Sequence, residues 1–126
     1  MSRVRVLVVD DHQLNLDLAR YVLEADGFVV DEALHVDGAW ARLRACRPDV
    51  VLVDIQLPGT DGLSLARAIK ATPGLEDLPV IAFTAYAMQG DEQRFRAAGC
   101  DGYLAKPIDV RSFAASVRAH LRVGGT

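Results

Sequence analysis

Three aspartates, a threonine and a lysine stand out because each follows or closes a run of apolar residues. "VLVV" runs into Asp10 and Asp11, "VVLV" into Asp54, "PVIAF" into Thr84 and "YLA" into Lys106. A buried run aimed at carboxylates needs a positive partner, because burying unpaired charge is costly. If the runs lie side by side, three carboxylates, one hydroxyl and one ammonium share one crevice. Crowded carboxylates raise one another's pKa values. Mg²⁺ relieves that conflict, since it favours carboxylate, carbonyl and water oxygens. The pattern therefore points to a metal ion as the positive partner. Such an ion commonly serves a phosphoryl group, and an aspartate can attack phosphorus to form an acyl phosphate. Asp54 is the best nucleophile, because "IQLPGTDG" after it is a loop able to offer backbone groups. Thr84 can then hydrogen-bond one phosphoryl oxygen and Lys106 neutralise another, the stabilisation that phosphoryl transfer mostly needs.

Each residue alone has a plainer reading. An Asp after a strand is often a cap or turn residue, a Thr a strand former, and a Lys a solvated side chain. Convergence on one edge is what favours chemistry.

Two periods alternate along the chain and would place these residues. Largely apolar runs at 4–9 and 49–54 suit strands covered on both faces, and 28–33, 79–84 and 102–105 also have strand character. Between them lie helical stripes. Leu18, Val22 and Ala25 mark a helix over 13–25, with Gly27 at its C-terminal cap. Ala39, Leu43 and Cys46 mark the second helix, and Leu63, Ala66 and Ile69 the third. Residues 91–98 form a short fourth helix closed by Gly99. Val110, Phe113, Ala114, Val117 and Leu121 mark the fifth. Alternation of this kind predicts an α/β fold with a parallel sheet and helices on both faces. Ligands of such sheets sit beyond the carboxyl ends of the strands, where the strand order reverses.

A chain of 126 residues, 51% hydrophobic and 25% charged, fits a single domain over 1–126. A net charge of −3 argues against a general nucleic-acid binder. No apolar run spans a membrane and no leader is apparent, so a cytoplasmic location is expected. Cys46 and Cys100 lack metal-type spacing and read as small apolar fillers in a reducing compartment. His12, His35 and His120 are scattered and read as surface residues.

"VVDDHQLN", "PDVVLVDIQLPGTDG", "FTAYAMQGDEQ" and "GCDGYLAKPI" together resemble a two-component response-regulator receiver domain, from Val4 to Leu121. The resemblance implies a flavodoxin-like (βα)5 fold with a five-stranded parallel sheet of order 2-1-3-4-5. It implies Asp54 as phosphoacceptor, with Asp10, Asp11, Asp54 and the Gln56 main-chain carbonyl holding Mg²⁺. It further implies Thr84 and Lys106 as phosphate-sensing groups, Tyr103 as the switch aromatic, and a cis bond before Pro107. Tyr103 could also be a plain strand aromatic. The style is closest to single-domain regulators of polar differentiation and cell division and to receivers of hybrid histidine kinases. Leu57 and Gly59-Thr60 depart from the usual pattern without touching the site. A stand-alone protein that signals by docking is expected; the alternative is a receiver module of a hybrid kinase or larger regulator.

The implied partners are a histidine kinase, a histidine phosphotransfer protein or both, with no nucleic acid and no membrane. The chain is expected to be a monomer or a weak, phosphorylation-dependent dimer. It is expected to be a signalling phosphoacceptor that promotes its own phosphorylation and dephosphorylation, not an enzyme with turnover. An aspartyl-phosphate phosphatase needs a second acid two residues beyond the nucleophile, where Gln56 stands. A phosphorylation-independent scaffold would be expected to lack a site residue. A nucleotide-binding module would need a glycine-rich loop after the first strand. On the first helix, Leu16 is expected to point outward with Asp17, Arg20 and Glu24, and Leu14 and Asn15 to lie at the crevice rim. Leu14, Asn15 and Leu16 are thus the expected docking residues for the partner's helix.

Overall fold

The valine-rich run at 50–54 becomes the middle strand of the sheet, and every residue of it is buried. The computed structural model describes residues 3–57, 60–85, 91–106 and 108–121. The sheet strands are β1 (Arg5–Val9), β2 (Val29–Ala33), β3 (Val50–Asp54), β4 (Val80–Thr84) and β5 (Gly102–Ala105). The helices are α1 (Gln13–Ala25), α2 (Val36–Ala45), α3 (Gly62–Lys70), α4 (Asp91–Ala97) and α5 (Phe113–Ala119). All neighbouring strands pair in parallel, in the order β2-β1-β3-β4-β5. The flavodoxin-like order implied by the sequence is the one observed. A two-residue antiparallel ribbon pairs Gln56–Leu57 with Thr60–Asp61, where the sequence suggested only a loop.

Strand side chains alternate between two cores, as the pleat requires. Leu7, Val9, Val51, Val53, Val80 and Ala82 pack against Ala39, Leu43, Leu63, Ala66, Ile69 and Phe95, from α2, α3 and α4. Val6, Val8, Val50, Leu52, Ile81 and Phe83 pack against α1 and α5 through Leu16, Ala19, Leu23, Phe113 and Val117. Covering both faces explains why these strands read as continuous apolar runs. Gly27 follows α1 at φ 93°, the left-handed conformation expected of a glycine just past a helix end.

The orientation of α1 corrects the sequence reading. Leu16, Ala19, Val22 and Leu23 are its buried residues. Leu18 is 38% exposed and Ala25 is also exposed, whereas Leu16 is fully buried. The helix carries apolar stripes on opposite sides, and Leu18 and Leu16 lie about half a turn apart around the axis. Spacing alone does not say which stripe faces the sheet. On α5, Phe113 and Val117 are buried, while Val110 lies before the helix and is 58% exposed.

The two cysteines also separate. Cys46 caps α2 and is exposed, so it is not the core filler expected; Cys100 is buried. Burial, with Asp101 adding to it, pushes the Cys100 thiol up to about 11. Since the thiolate is the nucleophile, iodoacetamide should alkylate Cys46 alone in the native protein. Peptide mapping checks this, and labelling of Cys100 without denaturant would contradict the packing around it. Among the described residues, no helix is long and apolar enough to cross a membrane.

Candidate functional site

In β1 and β3, Val9 and Val53 are register partners, so the next residues, Asp10 just past β1 and Asp54 at the end of β3, lie side by side. In β4 and β5, Thr84 pairs with Ala105, and Lys106 follows. All four therefore meet at the carboxyl end of the sheet, where the order reverses between β1 and β3. His12, Leu14, Asn15, Asp54, Gln56, Ala85 and Lys106 line a crevice of about 370 Å³ there.

Asp10 is completely buried and richly bonded. Its Oδ1 accepts from the His12 backbone N–H at 2.9 Å. Its Oδ2 accepts from Asn15 Nδ2 at 3.2 Å and pairs with Lys106 Nζ at 2.8 Å. Lys106 Nζ also donates to Asp54 Oδ2 at 3.0 Å, and Asp54 Oδ1 accepts from the Gln56 N–H at 2.9 Å. The first positive partner of the acids is thus Lys106, where the sequence suggested a metal ion alone. Burial by itself lowers the lysine's pKa, but hydrogen bonds to Asp10 and Asp54 outweigh it and the value is raised. Lys106 therefore carries its charge at neutral pH, and its Nζ lies 4.9 Å from the Phe83 ring centroid.

One ammonium does not neutralise three carboxylates. Asp11 Oδ1 is buried and has no hydrogen-bond partner. His12 Nδ1 lies 3.1 Å from it without making a hydrogen bond. Ligand atoms of Asp10, Asp11, His12 and Asp54 all lie within 4.8 Å of one another. An orphaned carboxylate oxygen among further carboxylates fits a hard divalent cation, so this acidic group can hold a metal.

Two features of the site lay outside the sequence reading. His12, taken for a plain surface residue, stands at the rim with its ring against the acids. Its position directly after the acid pair was the available signal. Gly62, read only as a turn former, fixes the back of Asp54. Its N–H donates to the Ile55 carbonyl at 3.1 Å. A Cβ there would collide with the Asp54 carbonyl oxygen and lie 2.7 Å from Ile55 Cα. Asp61 caps α3 by accepting from the Leu63 N–H at 2.9 Å. "DG" therefore sets the start of α3 directly behind β3.

The remaining expected residues divide. Thr84 is buried at the crevice end of β4. Tyr103 is 37% exposed and packs on Phe95 of α4, with ring centroids 5.8 Å apart. Leu14 is 82% exposed at the rim, as expected. Asn15 holds Asp10. Leu16 is a core residue, so it cannot meet a partner. Pro107 lies outside the described residues. Of the other histidines, His35 is exposed and caps α2, while His120 is half-buried with its ring against Gly102.

Residues 6–118 match the family described as the response regulator receiver domain. The chain belongs to that family. It is 40% identical over 116 residues to the polar-differentiation response regulator DivK of Brucella anthropi, covering 92% of this chain and 94% of that protein. The same-named protein of Brucella ovis matches at the same identity and coverage. Among solved structures, a receiver domain protein from Methanospirillum hungatei has a TM-score of 0.81 at 30% identity, covering 94% of this chain and 93% of that one. The signal receiver domain of a histidine kinase from Syntrophus aciditrophicus has a TM-score of 0.85 at 28% identity, covering 98% and 94%. The chemotaxis regulator CheY4 of Vibrio cholerae shares the fold, with a TM-score of 0.89 at 23% identity, covering 95% and 100%. This receiver is thus a signalling module of a two-component system, and its family works with histidine kinases and phosphotransfer proteins.

Proposed function

We propose that Asp54 accepts a phosphoryl group from a phosphohistidine of a kinase or phosphotransfer protein. Supporting this is the convergence of Asp10, Asp11 and Asp54 on one crevice, with Lys106 bridging two of them and one buried oxygen of Asp11 left without a hydrogen bond. A lone pair of an Asp54 oxygen attacks phosphorus. The bond from phosphorus to the donor nitrogen breaks, and its electron pair stays on the departing imidazole. Mg²⁺ held by Asp10, Asp11, Asp54 and the Gln56 main-chain carbonyl would supply charge neutralisation at the incoming phosphoryl oxygens. Lys106 moves from its bridge to one phosphoryl oxygen, and Thr84 hydrogen-bonds another. The same groups stabilise attack of a water oxygen on the phosphorus, which breaks its bond to Asp54 and releases inorganic phosphate, so the protein limits its own signal. Residues 1–126 act as one receiver domain, in the cytoplasm. Incubation with a small acyl phosphate and Mg²⁺, read by intact mass, should add one phosphoryl group. A mass unchanged by this treatment, or an equal gain in the presence of a chelator, would reject the reading.

The signal follows from where the new acceptors lie. Each charge-assisted contact from Thr84 or Lys106 contributes about 1.5–3 kcal/mol gross, enough to bias a surface whose two states differ by a few kcal/mol. Tyr103 leaves Phe95 for space that Thr84 vacates, changing the face formed by α4, β5 and α5. Thr84→Ala should still be phosphorylated but lose the phosphorylation-dependent shift in partner affinity. A full shift in that variant would place the switch elsewhere.

Partner docking follows the exposed stripe of α1. Leu14, Leu18 and Tyr21 are 82%, 38% and 70% exposed, and they follow one another at helical spacing from the crevice rim. A donor helix lying along them brings its histidine to Asp54. Leu14→Asp or Leu18→Asp should slow transfer from a cognate kinase at least about tenfold, ~1.4 kcal/mol in the transition state. Labelling of Leu18→Asp by the small donor should hardly change. Equal slowing with both donors would sink the docking surface.

A further inference from the structure

Two histidines hold the same structural position, the residue before the first turn of a helix, and only one of them acts as a cap. His35 precedes α2, and its Nδ1 accepts from the Gly38 N–H at 3.2 Å. His12 precedes α1 and makes no side-chain cap. Its Nδ1 turns instead to the acids, 3.1 Å from Asp11 Oδ1 and 3.4 Å from Asp10 Oδ1. Asp10 does not need the ring, because the backbone N–H of His12 already serves its Oδ1. Asp11 Oδ1 is the buried oxygen without a hydrogen-bond partner. An imidazole nitrogen and an orphaned oxygen therefore face the same small volume, in the group whose ligand atoms lie within 4.8 Å of one another.

We propose that the His12 imidazole is an additional ligand at this site and tilts its preference from Mg²⁺ toward a divalent transition ion, Mn²⁺ in the first instance. This rests on the reading of Asp10, Asp11 and Asp54 as a cation site. Mg²⁺ is hard, keeps several waters and gains little from an imidazole. First-row transition ions accept imidazole nitrogen beside carboxylate oxygen, with affinity rising along the series from Mn²⁺. The His12 side chain is 68% exposed, so the ring can follow the ion without disturbing the core. A group used by one ion and ignored by the other changes selectivity while the carboxylates stay as they are. A purely electrostatic role would act differently. A positive ring beside the site would oppose both ions alike, and its removal would strengthen both together.

The test is calorimetric titration of Mg²⁺ and Mn²⁺ into the wild type, His12→Asn and His12→Phe, with pulsed EPR of the bound Mn²⁺. The wild type should show imidazole-nitrogen coupling to Mn²⁺, absent from both variants. Mn²⁺ affinity should fall about tenfold or more in the variants, while Mg²⁺ affinity changes by less than about threefold. Absence of nitrogen coupling, or equal changes for the two ions, overturns the role of His12 and leaves the carboxylate site standing. Failure of the wild type to bind either ion overturns the cation site itself, and this proposal with it.

Discussion

Asp54→Ala is expected to take up no phosphoryl group from a small acyl phosphate, whatever the Mg²⁺ concentration. The loss is complete because the variant has no oxygen at the position where the new bond forms. The fold should survive, since Lys106 keeps its pairing with Asp10 and one source of carboxylate repulsion is gone. Asp11→Ala provides the contrast. Asp11 takes part in none of the hydrogen bonds that hold Asp10 and Asp54, so its removal should leave the nucleophile in place and weaken the metal. A tenfold loss of metal affinity, ~1.4 kcal/mol, is then partly recovered by raising Mg²⁺. Initial labelling rates across a Mg²⁺ series separate the two variants. Labelling of Asp54→Ala at the wild-type rate, or an Asp11→Ala defect indifferent to Mg²⁺, would contradict the assigned roles.

Gly62→Ala is expected to damage both the fold and the site. The colliding atoms are the Asp54 carbonyl oxygen and Ile55 Cα, which are backbone and cannot swing aside. Either α3 lifts off the sheet or the end of β3 shifts, and the second moves Asp54 relative to Lys106. Overpacking of this kind costs about 1–3 kcal/mol, which lowers Tm by several degrees in a domain of this size. Labelling should fall even at temperatures where the variant is folded. Gly38→Ala serves as the control. Its nearest neighbour would be Ala33 Cβ at 3.5 Å, ordinary contact. A helical Gly to Ala change then favours stability by up to about 1 kcal/mol. A wild-type Tm and labelling rate for Gly62→Ala would remove Gly62 from the account.

The three central strands, β1, β3 and β4, were legible because they are covered on both faces and are apolar along most of their length. That same feature marked their ends, and with them Asp10, Asp54 and Thr84, whereas Lys106 follows the short, half-exposed strand β5. Which face of α1 meets the sheet was not legible. Leu14, Leu18 and Tyr21 form an apolar stripe as regular as Leu16, Ala19 and Leu23, and only the neighbouring strands decide between them. The exposure of Cys46 had a related cause, since it continues the spacing of Ala39 and Leu43 after the helix has ended at Ala45. The pairing of Lys106 with Asp10 and Asp54 depends on strand order, so charge balance alone suggested a metal without the lysine. The Gly62 contact depends on the path of the chain after Asp54, and no local pattern encodes it.

Borohydride trapping addresses Asp54 most directly. An acyl phosphate on aspartate is reduced to homoserine, whereas a phosphoryl group on histidine or a hydroxyl is not. After phosphorylation in Mg²⁺ and reduction, peptide mapping should find homoserine at position 54 and at no other aspartate. Homoserine at Asp10 or Asp11, or a phosphoryl group that leaves every aspartate unreduced, would contradict Asp54 as the acceptor.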